Sequence, residues 1–237
     1  MVPMLILRSQ ALAPVLLALF TVAASAHALR PTISEVTFPD GENRVQFVFQ
    51  PINLEALVAD IGAGYADTDE SANAAEYDRL REFSSGALRG EFDGFAPEFL
   101  NDLTIMAGDT RLTPKIGSVI IPPEGDLALP RESLVTISAE LPEGATELTF
   151  AWAPRFGDIV VRTPVDANGD GYAGFLTGGD ASAPLVVTGG ANQSALDAFL
   201  NYLVVGFEHI LPLGLDHILF VIGLFLLSTA LRPLIIQ

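Results

Sequence analysis

Cysteine is absent from this chain of 237 residues, which removes disulfides, zinc–thiolate sites and thiol catalysis from consideration. Basic residues are scarce, 12 against 29 acidic ones. Phosphate contact needs a basic face, so nucleic-acid binding is set aside. Histidine is scarcer still, with three in all. Only His27 accompanies the acidic part of the chain, so a serine–histidine triad has almost nothing to draw on. No motif points to paired-carboxylate hydrolysis either, and the chain is not expected to be an enzyme. There is no internal repeat and no low-complexity tract. Trp152, the single tryptophan, reads with the phenylalanines as core rather than as a binding platform.

What is present sorts by position. Half of the residues are hydrophobic, yet the formal net charge is −17. All basic residues except Arg8 and Arg232, and all acidic ones except Glu208 and Asp216, lie between His27 and Asp197. That segment therefore carries the whole net charge, as an acidic soluble domain between two apolar stretches. Its acidity serves solubility and could also concentrate divalent cations. Residues 1–26 read as a secretory signal peptide. Arg8 charges the n-region, Ala11 to Val22 form the apolar region, and Ala24-Ser25-Ala26 supplies the small-residue cleavage site. Cleavage there leaves His27 at the mature N-terminus. The expected arrangement is a bacterial inner-membrane protein whose N-terminal domain, residues 27–190, is periplasmic.

Within that domain, short segments rich in β-branched and aromatic residues, punctuated by Gly, Pro and Asp, read as strands. They are Thr32–Phe38, Arg44–Phe49, Leu103–Met106, Gly117–Ile121, Ser133–Leu141, Glu147–Ala153, Asp158–Thr163, Tyr172–Leu176 and Pro184–Thr188. Asn53–Ile61 and Ala72–Leu88 have helical spacing instead, with Tyr77, Leu80, Phe83 and Leu88 able to share a buried face. The expected fold class is α+β, mainly β: an Ig-like sandwich with a helical insertion near residues 52–100, followed by a transmembrane α-helix. Residues 191–237 form the linker and the start of a membrane domain.

From Asp197 to Arg232 the only charged or imidazole side chains are Glu208, His209, Asp216 and His217. Pro212 and Gly214 mark a break between an interfacial helix, Leu196–Ile210, and a spanning helix, Leu215–Leu231. At 1.5 Å per residue the second reaches about 26 Å, the low end for a membrane span. Arg232 just beyond it fits the cytoplasmic side. Ionisable groups within an apolar segment are costly and point to function. Imidazole nitrogen with carboxylate oxygen suits divalent nickel, cobalt or zinc. The residues alone leave a second reading equally open: an interfacial cluster in which Asp216 caps the spanning helix.

The run Phe207-Glu208-His209-Ile210-Leu211-Pro212-Leu213-Gly214-Leu215-Asp216-His217-Ile218-Leu219-Phe220 resembles the first membrane motif of the HupE/UreJ family. That family pairs a histidine with a downstream Asp-His and is associated with hydrogenase and urease systems as nickel or cobalt permeases. The exported part is similar to the subgroup with an N-terminal periplasmic domain, through His27-Ala28-Leu29-Arg30-Pro31, Tyr77-Asp78-Arg79-Leu80-Arg81 and Phe156-Gly157-Asp158-Ile159-Val160-Val161-Arg162. The resemblance implies metal ligation by His209, Asp216 and His217 with Glu208 as an auxiliary. Nickel or cobalt would be the transported ion rather than a tightly bound cofactor, and a periplasmic protein partner is open to the exported domain. It also implies further membrane helices, whereas this sequence stops at Leu234-Ile235-Ile236-Gln237. The membrane part is therefore expected to be truncated, and one span cannot enclose a pathway. The rival reading is a membrane-anchored periplasmic binding or scaffold module without transport.

Two lesser candidates complete the reading. Asp166-Ala167-Asn168-Gly169-Asp170-Gly171-Tyr172 resembles the start of an EF-hand loop, but its twelfth position is Thr177 rather than Glu. Hairpin-turn chemistry between two strands is the favoured explanation. His27, as a mature N-terminus, offers an amine and an imidazole for a metal, although such ends are usually frayed.

Overall fold

A computed structural model describes residues 31–187 except 40, 62–67, 69–70, 128, 166–170 and 178. Beyond them it describes only the helical positions 196, 199, 200 and 203. The strands are β1 (Thr32–Thr37), β2 (Arg44–Ile52), β3 (Leu103–Ala107), β4 (Thr110–Arg111), β5 (Lys115–Ile120), β6 (Ser133–Glu140), β7 (Glu147–Trp152), β8 (Ile159–Arg162), β9 (Ala173–Leu176) and β10 (Leu185–Val186). The helices are α1 (Leu54–Val58), α2 (Ala74–Arg81) and α3 (Ser85–Asn101). One sheet has the order β5-β6-β2-β1-β8-β9 and the other β10-β7-β3-β4. Pairing is antiparallel except between β1 and β8, where Thr32 faces Ile159 in parallel register.

Alternation decides which side of each strand is buried. In β2, Val45, Phe47 and Phe49 point inward, and in β7 Leu148, Phe150 and Trp152 do the same. The two inner faces meet through aromatic rings. Phe47 and Phe150 are 5.0 Å apart and Phe49 stacks on Trp152 at 6.2 Å. Such contacts add to the large apolar area these side chains bury. The molecule is thus mainly β, with two facing sheets and helices between β2 and β3, as expected. The Ig-like label goes further than this strand order does.

The insertion closes one end of the sandwich. Asn53 caps α1, its Oδ1 accepting from Ala56 N at 3.0 Å, and its Nδ2 donates to Tyr77 Oη at 3.0 Å in α2. The expected single helix over Ala72–Leu88 is two helices. Glu82 ends α2, and Ser84 begins the next by accepting from Ala87 N. α3 runs past Leu88, where the expected helical spacing ended, to the far end of the helical insertion expected near residues 52–100, although Gly86, Gly90, Gly94 and Pro97 lower helix propensity. Its buried stripe Leu88, Phe92 and Phe99 overrides that cost. Phe99 lies 6.0 Å from Phe49, so α3 extends the aromatic core. The expected buried face holds: Tyr77, Leu80 and Leu88 are buried and Phe83 packs against them.

Among the described residues, no helix is long and apolar enough to cross a membrane. The expected helices Leu196–Ile210 and Leu215–Leu231 lie, apart from the few positions named above, outside the described residues, as does the expected signal peptide.

Candidate functional site

Glu208, His209, Asp216 and His217 all lie outside the described residues, and so does His27. Among the described residues no group of three His, Asp or Glu side chains is placed to hold a metal. Most of the EF-hand-like loop is likewise outside them, but its flanks are described. They are strands, β8 and β9, paired antiparallel from Ile159–Leu176 to Arg162–Ala173. Thr163 N donates to Tyr172 O, and Tyr172 N donates to Thr163 Oγ1. A hairpin, not a helix–loop–helix, frames this segment.

The described domain nevertheless contains a built polar site that the sequence did not reveal. It sits at the insertion end, between the start of α1, the end of α2 and the loop from Ile121 to Glu132. There a cavity of about 260 Å³ is lined by Glu55, Arg81, Arg131 and a proline-rich rim. Glu55 comes from the first turn of α1 and is fully buried. Arg131 Nε lies 2.9 Å from Glu55 Oε1, with side-chain exposures of 6% and 1%. The contact is an ion pair rather than an aligned hydrogen bond, since neither Glu55 oxygen meets a well-placed donor.

Arg131 spends its other donors on the backbone. Its Nη2 donates to Arg81 O at 2.8 Å and to Phe83 O at 3.0 Å, at the C-terminal end of α2. Carbonyls there lack helical partners, so a guanidinium is well placed. Its Nη1 reaches Pro122 O at 3.4 Å, the same carbonyl that accepts from Ser85 Oγ at 2.8 Å. Arg131 thereby ties the loop to both helices. Arg81 is less committed. It approaches Asp78 Oδ1 at 3.4 Å and lies over the Tyr77 ring, while its Nε is buried without a partner. Burial pushes the Glu55 carboxyl above its usual range, against its own backbone N–H, Arg131 and Arg81. Burial likewise raises the Tyr77 phenol, opposed mainly by Asn53.

A second charged group is structural. Arg155 Nη2 reaches Glu98 at 2.7 Å and Asp102 at 2.8 Å, and its guanidinium lies 4.9 Å from the Phe156 ring. It fixes the C-terminal end of α3 to the 3-10 turn Pro154–Phe156, beside Trp152, whose Nε1 donates to Gly157 O.

Nothing in one sequence pairs Glu55 with Arg131. Glu55 follows a capping Asn and reads as an ordinary first-turn acid. Arg131 follows Pro130 in what reads as a loop. Only Tyr77–Arg81 was singled out, on grounds of resemblance.

Comparison with known proteins bears on the other end of the chain. Residues 187–237 match the family described as HupE / UreJ protein, a segment that contains Glu208, His209, Asp216 and His217. No curated protein matches the chain.

Proposed function

We propose, on the premise that residues 187–237 are a HupE/UreJ segment, that this is a membrane protein of nickel or cobalt uptake with a periplasmic accessory domain. The single observation that carries the reading is that the family match spans the whole histidine–carboxylate cluster. The family is associated with nickel and cobalt transport. In this reading His209, Asp216 and His217 are ligands at the outer mouth of the membrane part, and Glu208 is an auxiliary acceptor. Imidazoles and carboxylates suit nickel and cobalt, and an ionisable cluster in an apolar segment marks an ion path. No enzymatic step and no tightly bound cofactor belong to this reading. The metal is cargo.

The sandwich, Ig-like in this proposal, is exported behind the signal peptide and stands on the periplasmic face of the inner membrane. Its acidic composition suits that side, where it would raise the local concentration of divalent cations or meet a periplasmic partner. The subgroup resemblance, through His27–Pro31, Tyr77–Arg81 and Phe156–Arg162, supports the same organisation. Replacing His209, Asp216 and His217 together with alanine should abolish nickel and cobalt accumulation by cells that carry the gene. Unchanged accumulation in cells expressing the variant at the wild-type level would refute the site.

A further inference from the structure

The chain is poor in cations, yet three of them line one groove of about 540 Å³, at the end of the sandwich opposite the one that the insertion closes. They are Arg44, Arg111 and Lys115, the last being the only lysine in the sequence. We propose that this groove binds a small polycarboxylate, of the size of succinate or citrate, with its carboxylates on Lys115, Arg44 and Arg111. All three residues are exposed, so a solute reaches them. Lys115 has no side-chain partner among the described residues. Arg44 pairs with the exposed Glu42, a surface pair that a ligand readily displaces. Arg111 Nη2 donates to Asn101 O and Leu103 O at 2.9 Å, which holds the guanidinium and leaves Nε and Nη1 for a ligand.

Register sets the spacing of the ligand. Val45, Phe47 and Ala139 point into the core, so Arg44, Ser138 and Glu140 stand on the outer face of the sheet. Lys115 opposes Ser138, and Arg44 opposes Glu140. Lys115 and Arg44 are thus two strands apart and two residues out of level. That is about 9.6 Å across and about 6.8 Å along, or about 12 Å between Cα atoms. Side chains stand roughly upright on a sheet, so the two cationic heads keep about that spacing. A charge-assisted hydrogen bond of about 2.8 Å at each head leaves about 6 Å between the two oxygens held. A short dicarboxylate spans that gap with its outer oxygens, whereas the oxygens of one phosphate or one carboxylate lie too close together.

Charge and place agree with that ligand. Glu140 is the one acid among the described residues that line the groove, so three positive charges face one negative in a chain of net charge −17. A cleft focuses such a field, drawing anions in and repelling a bare divalent cation. The volume lies within the range of about 300–1,000 Å³ that small-molecule sites occupy. Pro142 lines the same groove, and Ala145 N donates to its carbonyl in a turn that leads to Thr146, whose carbonyl accepts from Val187 N. From Val187 the chain enters the HupE/UreJ segment. Carboxylate oxygens ligate divalent metals, so a bound polycarboxylate can bring its metal to the end of the domain from which that segment leaves. That role rests on the uptake reading, and the binding itself does not.

Isothermal titration of the full chain in nonionic detergent micelles, at a fixed ionic strength of about 0.15 M, tests the proposal. Citrate should bind with a Kd of about 1 mM or tighter, and succinate more weakly because it lacks the third carboxylate. Acetate and inorganic phosphate should bind at least about tenfold more weakly than citrate. Lys115→Gln, on an exposed edge strand, should keep the wild-type Tm and weaken citrate by about tenfold or more, the loss of one charged hydrogen bond. Glu140→Gln removes the opposing charge and should tighten binding. No measurable citrate binding to wild type at about 10 mM overturns the proposal without reference to any variant. So does phosphate that binds as tightly as citrate, or a folded Lys115→Gln protein that binds citrate like wild type. These titrations read binding alone, so their failure leaves the uptake reading standing, and a failure of uptake leaves the groove standing.

Discussion

Arg131→Met should be among the most damaging single substitutions in the β-rich domain. Arg131 and Glu55 are both buried, with side-chain exposures of 6% and 1%, so solvent screening offers little relief. Removing one member of a buried ion pair leaves an uncompensated charge and costs about 3–5 kcal/mol. The carbonyls of Arg81 and Phe83 lose their donor at the same time. For a domain of this size the expected fall in Tm is about 6–20 °C, at about 2–4 °C per kcal/mol. Glu55→Gln combined with Arg131→Met should be milder than Arg131→Met alone. Neither member of the pair is then charged, and the main losses are the two short carbonyl hydrogen bonds, at about 0.5–1.5 kcal/mol each, with the 3.4 Å contact to Pro122 O adding little. The double variant should therefore sit about 1–3 kcal/mol below wild type. Trp152 is the only tryptophan in the chain and is 3% exposed within the sandwich, so its fluorescence reports this domain's unfolding. A cost below about 1 kcal/mol for Arg131→Met, or a double variant worse than the single, would refute the account of a buried pair that fixes the insertion.

Other outcomes follow from the same structure. Burial raises the Glu55 carboxyl in the folded state, so the folded protein holds that proton more tightly than the unfolded chain. Wild type should then lose stability relative to Glu55→Gln as pH rises from about 4.5 upward; a difference that moves the other way would show that Arg131 and Arg81 outweigh desolvation. Gly86, Gly90 and Gly94 lie on the exposed side of α3 with nothing within 4 Å of an added Cβ. Each change to Ala should stabilise by about 0.5–1 kcal/mol in urea unfolding, and a loss would mean that the helix needs those glycines. Gly179 has φ +85° and a Cβ there would meet Pro154 Cγ at 2.8 Å. Gly179→Ala should cost at least about 1 kcal/mol by the same measurement, and a neutral result would contradict the left-handed turn. Phe150→Ala, in the ring cluster between the sheets, should cost about 3–5 kcal/mol, and less than about 1.5 would mean that the sheets do not meet there.

Strands were legible where one face is buried and the other is not. Thr32–Thr37 alternates throughout, and Val45, Phe47 and Phe49 of β2 do the same. β4 is two residues long and exposed on both, so it carries no periodic signal. In α3 the apolar positions Leu88, Phe92 and Phe99 keep a helical period, while Gly86, Gly90, Gly94 and Pro97 lower its local helix propensity. Tertiary burial outweighed local propensity there. The polar cavity was not legible at all. Its members come from two helices and a loop, and only the closed end of the sandwich brings Glu55 to Arg131. The histidine–carboxylate cluster is the reverse case, written plainly in the local sequence and matched by family, while its geometry lies outside the described residues.

The central claim is that the cluster in residues 208–217 handles a divalent metal for uptake. Accumulation of radioactive nickel and cobalt by cells carrying the gene tests it most directly, with Glu208, His209, Asp216 and His217 replaced by alanine at matched expression. The account predicts accumulation that falls to the level of cells without the gene, and a sandwich that still melts as in wild type. Accumulation that stays at the wild-type level, or a loss seen only when the β-rich domain is deleted, would contradict it and favour an anchored binding module.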